Sequence, residues 1–206
     1  MSIKKITVLS LAMFTQAMCF SAQASDIISI PLTKSTPLLD GICHENEWQS
    51  SYSVELSDEV QLSLLQTEKY IYVCAKGKNE DYTALDIYLN DVKKNTIRNL
   101  HISAQLGERE YSNGKWSEML WWNQQGWTAF WVPFSGFKEE NGIRKPSFLR
   151  GSNREVKFSK TILNSNKFLA TLILSSVTVN GKLNQSISFP LDSVPEDSST
   201  WANFSL

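Results

Sequence analysis

Apolar and polar residues alternate with a period of two in several short segments of this chain. Residues 60–65, 84–89 and 167–175 each place apolar side chains on one face and more polar ones on the other. Residues 70–75 are apolar on both faces, which favours a central strand. No segment keeps the helical period of about 3.6 residues, and the strand-like segments recur at short spacing. The pattern therefore predicts an all-β antiparallel sandwich.

The most aromatic stretch runs from Asn99 to Phe137. Its first part, residues 101–111, alternates in a way that predicts a strand with one buried and one wet face. The buried face carries Ile102, Ala104 and Leu106, and the wet face carries His101, Ser103, Gln105, Arg109 and Tyr111. Five of the seven tryptophans lie in the same stretch: Trp116, Trp121, Trp122, Trp127 and Trp131.

Residues 127–134 alternate with apolar side chains on both faces. Phe130 and Val132 share one side, and Trp127 and Trp131 share the other. If the phenylalanine side is the core, both indoles lie on the outside. Indole rings beside polar groups suit a sugar, because pyranose C–H faces pack on flat rings while the hydroxyls need donors and acceptors. The alternative is that these tryptophans only pack the core and rim of the sheet.

Trp121 and Trp122 belong to a predicted loop over residues 112–126. Neighbouring residues on a strand point to opposite faces, so at most one of the two faces a given ligand. Loop tryptophans also commonly close the end of a sandwich. The candidate binding residues form a group made of Gln105, Arg109, Trp116, Trp121, Trp122, Trp127 and Trp131.

The N-terminus has the layout of a secretory signal peptide. Lys4 and Lys5 precede an apolar run over residues 6–14, and small residues for cleavage follow at 22–24. We predict a signal peptide over residues 1–24 and a single exported domain over residues 25–206, periplasmic or secreted. No later apolar segment is long enough to span a membrane.

Charge and cysteine content narrow the candidate partners. Removal of Lys4 and Lys5 from the 20 basic side chains leaves 18 against 21 acidic ones, a net charge of −3. With no basic block, nothing predicts nucleic acid as a partner.

Cys43 and Cys74 remain after export, and a disulfide between them would contribute roughly 3–4 kcal/mol by closing a loop of about thirty residues. Two buried free thiols are the alternative.

Carboxylates offer a weaker, catalytic interpretation. Glu108 and Glu110 lie two residues apart, and paired carboxylates perform acid/base chemistry on glycosides. Their phase places them with Leu106 on the buried side, so exposure of the two carboxylates requires the strand to end or bulge at Gly107.

No zinc site is predicted from His44 and His101, and no cofactor is predicted. The oxygen-bearing residues Asp81, Asp86, Asn90 and Asp91 leave calcium as an alternative.

One ordered set of motifs resembles a known family. The set consists of Pro37, Asp40-Gly41, Glu45 or Glu47, Trp48, the strand Tyr70-Ile71-Tyr72-Val73 and the strand Asp86-Ile87-Tyr88-Leu89. It resembles the carbohydrate-binding module family 9-like domains, which are close in fold to the DOMON-like β-sandwiches. The resemblance covers roughly the first third of the chain after residue 24.

The resemblance implies a jelly-roll-like sandwich in a secreted, non-catalytic module that binds glycan ends, often with structural calcium. It also implies a pair of tryptophans around a sugar, for which Trp127 with Trp131 and Trp121 with Trp122 are the candidates. We therefore expect an exported carbohydrate-binding domain. The alternatives are a stand-alone periplasmic or surface domain that binds another protein, and a glycoside hydrolase that uses Glu108 or Glu110.

Overall fold

Two β-sheets form most of the chain in the computed structural model, which describes residues 26–132, 134–148 and 151–206. In chain order, the described strands are β1 (Ile27–Ser29), β2 (Tyr52–Ser57), β3 (Val60–Gln66), β4 (Tyr70–Lys76), β5 (Ala84–Asp91), β6 (Thr96–Ile102), β7 (Leu106–Ser112), β8 (Lys115–Trp116), β9 (Leu120–Trp121), β10 (Trp127–Ala129), β11 (Phe134–Glu140), β12 (Ile143–Phe148), β13 (Asn153–Ser159), β14 (Lys167–Val179), β15 (Lys182–Phe189) and β16 (Ala202–Ser205). A short helix, α1, spans Glu45–Trp48, and 3-10 turns span Lys160–Ile162 and Ser198–Thr200. The predicted signal peptide lies outside the described residues.

The larger sheet has the strand order β1-β16-β14-β5-β6-β7-β8, with β15 paired to β14 and β9 paired to β7. The smaller sheet has the order β10-β13-β4-β3-β2. Strands β11 and β12 pair only with each other, as a separate hairpin. Pairing within the two main sheets is antiparallel except between β1 and β16. The predicted all-β antiparallel sandwich is confirmed.

The core lies between the two sheets and is built from the predicted apolar faces. Leu85 and Ile87 of β5 share one buried cluster with Leu62 and Leu64 of β3. Ile71 and Val73 of β4 join them from the middle of the smaller sheet. Alternation places every second residue of these strands inside, so the residues between them define two outer faces. Within the described part of the chain, no helix is long and apolar enough to cross a membrane.

The strand predicted over residues 101–111 is a hairpin. β6 ends at Ile102 and β7 begins at Leu106, and these two residues face each other across the pair. The Ser103 hydroxyl accepts a hydrogen bond from the Gln105 backbone N–H and so closes the turn at residues 103–105. The strand neither ends nor bulges at Gly107, because residues 97–102 of β6 pair in continuous register with residues 106–111 of β7.

The Asp-Gly-to-Trp motif of the family resemblance is organised by a buried carboxylate from β13. Glu155 Oε2 accepts the backbone N–H groups of Asp40 and Gly41 at 2.9 and 2.7 Å. Its Oε1 accepts the Trp48 indole N–H at 3.3 Å. Burial raises the pKa of Glu155 above its ordinary value, against the lowering effect of these three donors. The predicted disulfide between Cys43 and Cys74 is present beside Trp48.

Candidate functional site

The outer face of the larger sheet carries a cross-strand row at the edge formed by β7 and β9. Asp86 pairs with His101, His101 with Gly107, and Gly107 with Trp121. Directly paired residues of antiparallel strands lie on the same face with their Cβ atoms about 5 Å apart. Strand register therefore assembles side chains that are up to thirty-five residues apart in sequence.

Hydrogen bonds join the polar residues of this face into a chain, which we call the polar row: Ser103, His101, Asp86, Asn99 and Arg109. His101 lies 2.9 Å from Ser103 Oγ through Nε2 and 2.9 Å from Asp86 Oδ1 through Nδ1. Asn99 donates to Asp86 Oδ1 at 3.0 Å, and Arg109 Nε donates to Asn99 Oδ1 at 3.1 Å. Mutual bonding fixes the orientation of each group before any ligand arrives.

Trp121 lies beside the polar row, and the exposed Trp122 and Trp131 contact each other near the turn between β6 and β7. We call these three tryptophans the indole cluster. Their exposed fractions are 48%, 52% and 45%. Trp121 meets the His101 ring edge-on at 5.8 Å, and Trp122 meets Trp131 at 6.0 Å in the same manner. Large apolar rings left half in water are the informative exception to burial, and they mark a candidate binding surface.

Backbone hydrogen bonds attach the indole cluster to the turn between β6 and β7. The Trp122 N–H donates to the Leu106 carbonyl at 2.7 Å, and the Val132 N–H donates to the Ser103 carbonyl at 3.1 Å. Trp122 takes a left-handed backbone conformation with φ of 61°, which is unfavourable for a bulky residue. Both segments are therefore held at one point of the larger sheet.

Gly107 makes room for Trp121 on the sheet surface. A Cβ atom added at Gly107 would lie 2.8 Å from Met119 Sδ and 2.9 Å from Trp121 Cε3, closer than van der Waals contact permits. The missing side chain thus lets the Trp121 indole lie over β7 and reach His101.

Trp116 and Arg109 contact each other in a packed aromatic group, apart from the exposed indole cluster. The Arg109 guanidinium lies 4.4 Å over the Trp116 ring, and the Trp116 N–H donates to Glu196 at 2.8 Å. The half-buried Trp116 packs on Tyr88 and Tyr111. Burial raises the pKa of Tyr88 to about 12. Arg109 therefore links this packed aromatic group to the polar row.

Trp127 lies in the core, as in the alternative in which the tryptophans pack the sheet. It is 5% exposed and packs in the core with Ala129, while Phe130 is half-buried on the other side of the chain. Its indole N–H donates to Glu108 Oε2 at 2.9 Å. A pattern with apolar residues on both faces could not decide which face is inside.

Glu108 is a bonded, buried carboxylate. Arg98 forms an ion pair with its Oε2, and Asn123 donates to its Oε1 at 2.7 Å. With the Trp127 indole included, both carboxylate oxygens accept from donors on three segments. Glu110 is exposed on the same strand, and Gln105 is exposed in the turn before it. This arrangement suits a structural role for Glu108.

Asp81 and Asp86, two of the residues that left calcium open, accept hydrogen bonds from protein donors. Asp81 is buried, and its oxygens accept from the backbone and hydroxyl of Thr178 and from the backbone of Lys78. Asp86 is engaged by Asn99 and His101. Among the residues that the structure describes, no group of three acidic, histidine or cysteine side chains could hold a metal ion.

Sequence reasoning left four residues of the polar row out of the candidate group. His101 and Ser103 were on the predicted wet face, and Asp86 pointed outward by alternation in its strand. Asn99 follows the same phase as His101. The signal that could have found them is the outward phase of adjacent strands, combined with the pairing register that the structure provides.

Comparison with known proteins gives one fold-level likeness. No protein-family model matches the chain, and no curated protein matches it in sequence. A solved structure of a candidate carbohydrate-binding protein from Bacteroides uniformis is similar, with a TM-score of 0.53 and 8% sequence identity. The match covers 88% of this chain and 99% of that one. At this identity the likeness shows a shared fold.

Proposed function

We propose that this protein is an exported, non-catalytic domain that binds carbohydrate on the outer face of its larger sheet. The observation that carries the proposal is the indole cluster, held half in water beside the prearranged polar row. Flat rings bind the C–H faces of sugars, and a fixed set of donors and acceptors recognises the hydroxyls around them.

The polar row supplies both kinds of hydrogen-bonding group. The Asp86 carboxylate accepts, and the Arg109 guanidinium keeps N–H groups beyond the one that is bonded to Asn99. His101 lies between this row and the Trp121 ring, at 5.8 Å from it. A sugar ring on Trp121 thus has polar partners on the adjacent strands.

Other observations support the same proposal. The described Bacteroides uniformis protein, which shares the fold, is named as a candidate carbohydrate-binding protein. The Asp40-Gly41 turn and Trp48, which carry the resemblance to family 9-like domains, are joined through the Glu155 carboxylate. Export is supported by the signal-peptide layout of residues 1–24 and by the disulfide, which persists in oxidising compartments.

The test is titration of the purified protein with a panel of neutral glycans, followed by tryptophan fluorescence and calorimetry. We expect saturable binding that weakens about tenfold in Trp121→Ala or Trp131→Ala, because loss of one aromatic contact costs about 1–1.5 kcal/mol. Leu183→Ala, which removes a side chain that is 70% exposed on β15, is the control and leaves affinity unchanged. A flat response to every glycan contradicts the proposal and favours the protein-partner alternative.

One observation favours a second function, the hydrolysis of an ester. Ser103, His101 and Asp86 are bonded in the order nucleophile, base and orienting carboxylate, with both distances at 2.9 Å. In the tautomer that donates Nδ1–H to Asp86, His101 Nε2 accepts the Ser103 hydroxyl proton. Attack of Ser103 Oγ on an ester carbonyl would expel the alcohol, with His101 returning the proton, and water would then release the acid.

The two functions are separable by one variant. Ser103→Ala abolishes release of nitrophenol from p-nitrophenyl acetate if the serine is a nucleophile, whereas a domain that only binds glycans shows no release in either form of the protein. No turnover by the wild-type protein removes the ester hydrolase from consideration. The glycoside hydrolase alternative is not favoured, because the oxygens of Glu108 are already bonded to Arg98, Asn123 and Trp127.

A further inference from the structure

A groove lies on the outer face of the smaller sheet and shares no lining residue with the indole cluster. Its main cavity has a volume of about 580 Å³ and lies between residues 32–36 and the turn that joins β3 to β4. Tyr70, Tyr72 and Lys157 form its floor. A second cavity of about 380 Å³ shares Tyr70 and Lys157 and continues toward β10. Both volumes fall within the usual range for small-molecule sites, roughly 300–1,000 Å³.

Strand register explains why these side chains share one face. Ile71 and Val73 of β4 point into the core, so Tyr70 and Tyr72 point outward. Lys157 of β13 pairs with Tyr72. The Lys157 ammonium lies 5.0 Å from the centre of the Tyr70 ring, and the rings of Tyr70 and Tyr72 meet edge-on at 6.4 Å. Tyr72 is only 2% exposed and packs with Trp48, so the groove presents the Tyr70 ring with the Lys157 ammonium over it.

The charge of the groove opposes that of the chain. Lys34, Lys69 and Lys157 line it, against the single carboxylate of Glu68. The chain as a whole carries a formal net charge of −1. None of the three lysines forms an ion pair with another of the described residues. Three unpaired ammonium groups around one cavity attract an anion.

The remaining lining is rich in neutral hydroxyl groups. They belong to Thr33, Thr36 and Thr67 in the main cavity and to Thr128, Ser159 and Thr161 in its continuation. Hydroxyls both donate and accept, as the hydroxyls of a sugar do. Aromatic rings, hydroxyls and cations together match a ligand that has C–H faces, hydroxyl groups and negative charge.

We propose that this groove is a second binding site, for a segment of acidic sugar that carries carboxylate groups. The Tyr70 ring supports a sugar face, and Lys157, Lys69 and Lys34 bind its carboxylates. The site is independent of the indole cluster, because Tyr70 and Lys157 lie on strands of the smaller sheet, Trp121 lies on a strand of the larger sheet, and no lining residue is shared. Absence of binding at one site therefore leaves the proposal for the other site intact.

The test is calorimetric titration with an oligogalacturonate and with a neutral cello-oligosaccharide of equal length. We expect saturable binding of the acidic probe that weakens at least about tenfold in Lys157→Gln, since a charge-assisted contact is worth roughly 1.5–3 kcal/mol. Tyr70→Ala weakens binding comparably, and Tyr70→Phe retains it. Binding also falls as ionic strength rises, because salt screens exposed charges.

Two control variants separate this site from other sources of binding. Lys182→Gln removes an exposed lysine from β15, in the other sheet, and leaves the affinity unchanged. Trp131→Ala also leaves it unchanged, whatever it does to neutral glycans. The proposal is overturned if no oligogalacturonate binds, if Lys157→Gln and Lys182→Gln weaken binding equally, or if a poly-glutamate peptide binds as tightly as the acidic sugar.

Discussion

Replacement of Glu155 by glutamine tests how the buried carboxylate holds the scaffold motif. Glu155 is 0% exposed, and its two oxygens accept from the Asp40 and Gly41 backbones and from the Trp48 indole. Glutamine keeps the shape but has one acceptor oxygen. Its NH2 group must then face either the two backbone donors or the indole donor.

The expected loss of stability follows from this count of donors. If the amide oxygen takes the two backbone N–H groups, the Trp48 donor remains buried without a partner, which costs about 1–3 kcal/mol. The bonds to the backbone also lose their charge assistance, at about 0.5–1 kcal/mol each. The total is roughly 2–5 kcal/mol, a large share of the 5–15 kcal/mol that is typical of a domain.

Urea unfolding followed by near-UV circular dichroism measures this loss. With a slope of about 2 kcal/mol per molar urea, the midpoint of Glu155→Gln falls by about 1–2.5 M. Glu118→Gln, which changes an exposed glutamate in the same way, leaves the midpoint in place. Equal midpoints for wild type and Glu155→Gln would refute the conclusion that this carboxylate stabilises the Asp40-Gly41 turn.

The pH dependence of stability provides a second check on Glu155. Burial raises its pKa above the unfolded value, so the folded protein binds the proton more tightly than the unfolded chain does. The stability contributed by this group is complete below the unfolded pKa and is lost as pH rises through the raised pKa. Glu155→Gln lacks this decrease, which urea midpoints measured across acidic pH would reveal.

Three further predictions follow from the described contacts. Reduction of the Cys43–Cys74 disulfide, which links residues 31 apart, lowers the free energy of unfolding by about 3–4 kcal/mol, and urea unfolding with and without reductant measures it. Gly107→Ala displaces the Trp121 indole by its added methyl group, so the tryptophan emission shifts and neutral glycan affinity falls. The free energy of unfolding falls by about 1–3 kcal/mol, measured by urea unfolding. Burial raises the pKa of Tyr88 to about 12, so we expect alkaline difference absorbance to show a tyrosine that ionises near that pH. Tyr88→Phe removes this ionisation, and a titration unchanged by the substitution contradicts the assignment.

Sequence periodicity predicted the inner faces of β3, β5 and β14 because each strand has one clearly apolar side. It missed the turn between β6 and β7 for a definite reason. Ile102, Ala104 and Leu106 keep their spacing of two through the turn, so the chain reverses direction without breaking the pattern. The turn is closed by the Ser103 side chain, which short-range hydrophobicity does not detect.

The sequence could not place Trp127 inside or outside the sandwich, for a different reason. Residues 127–132 are apolar on both faces, and such a pattern is symmetric with respect to inside and outside. The indole lies in the core, where its N–H meets the Glu108 carboxylate from a distant strand. Glu108, which accepts this bond, lies nineteen residues away in sequence, so a local pattern could not reveal it.

The sequence by itself determined that the chain forms strands, which residues of most strands face inward, and which two cysteines were available to pair. These properties depend on side-chain types at spacings of one or two residues. The tertiary structure alone decided which strands are neighbours, and therefore that Asp86, His101 and Trp121 lie in one row. It also assembled the groove over Tyr70 from segments that begin at residue 32 and end at residue 161. Register and neighbourhood arise from long-range pairing, and a local period carries no information about them.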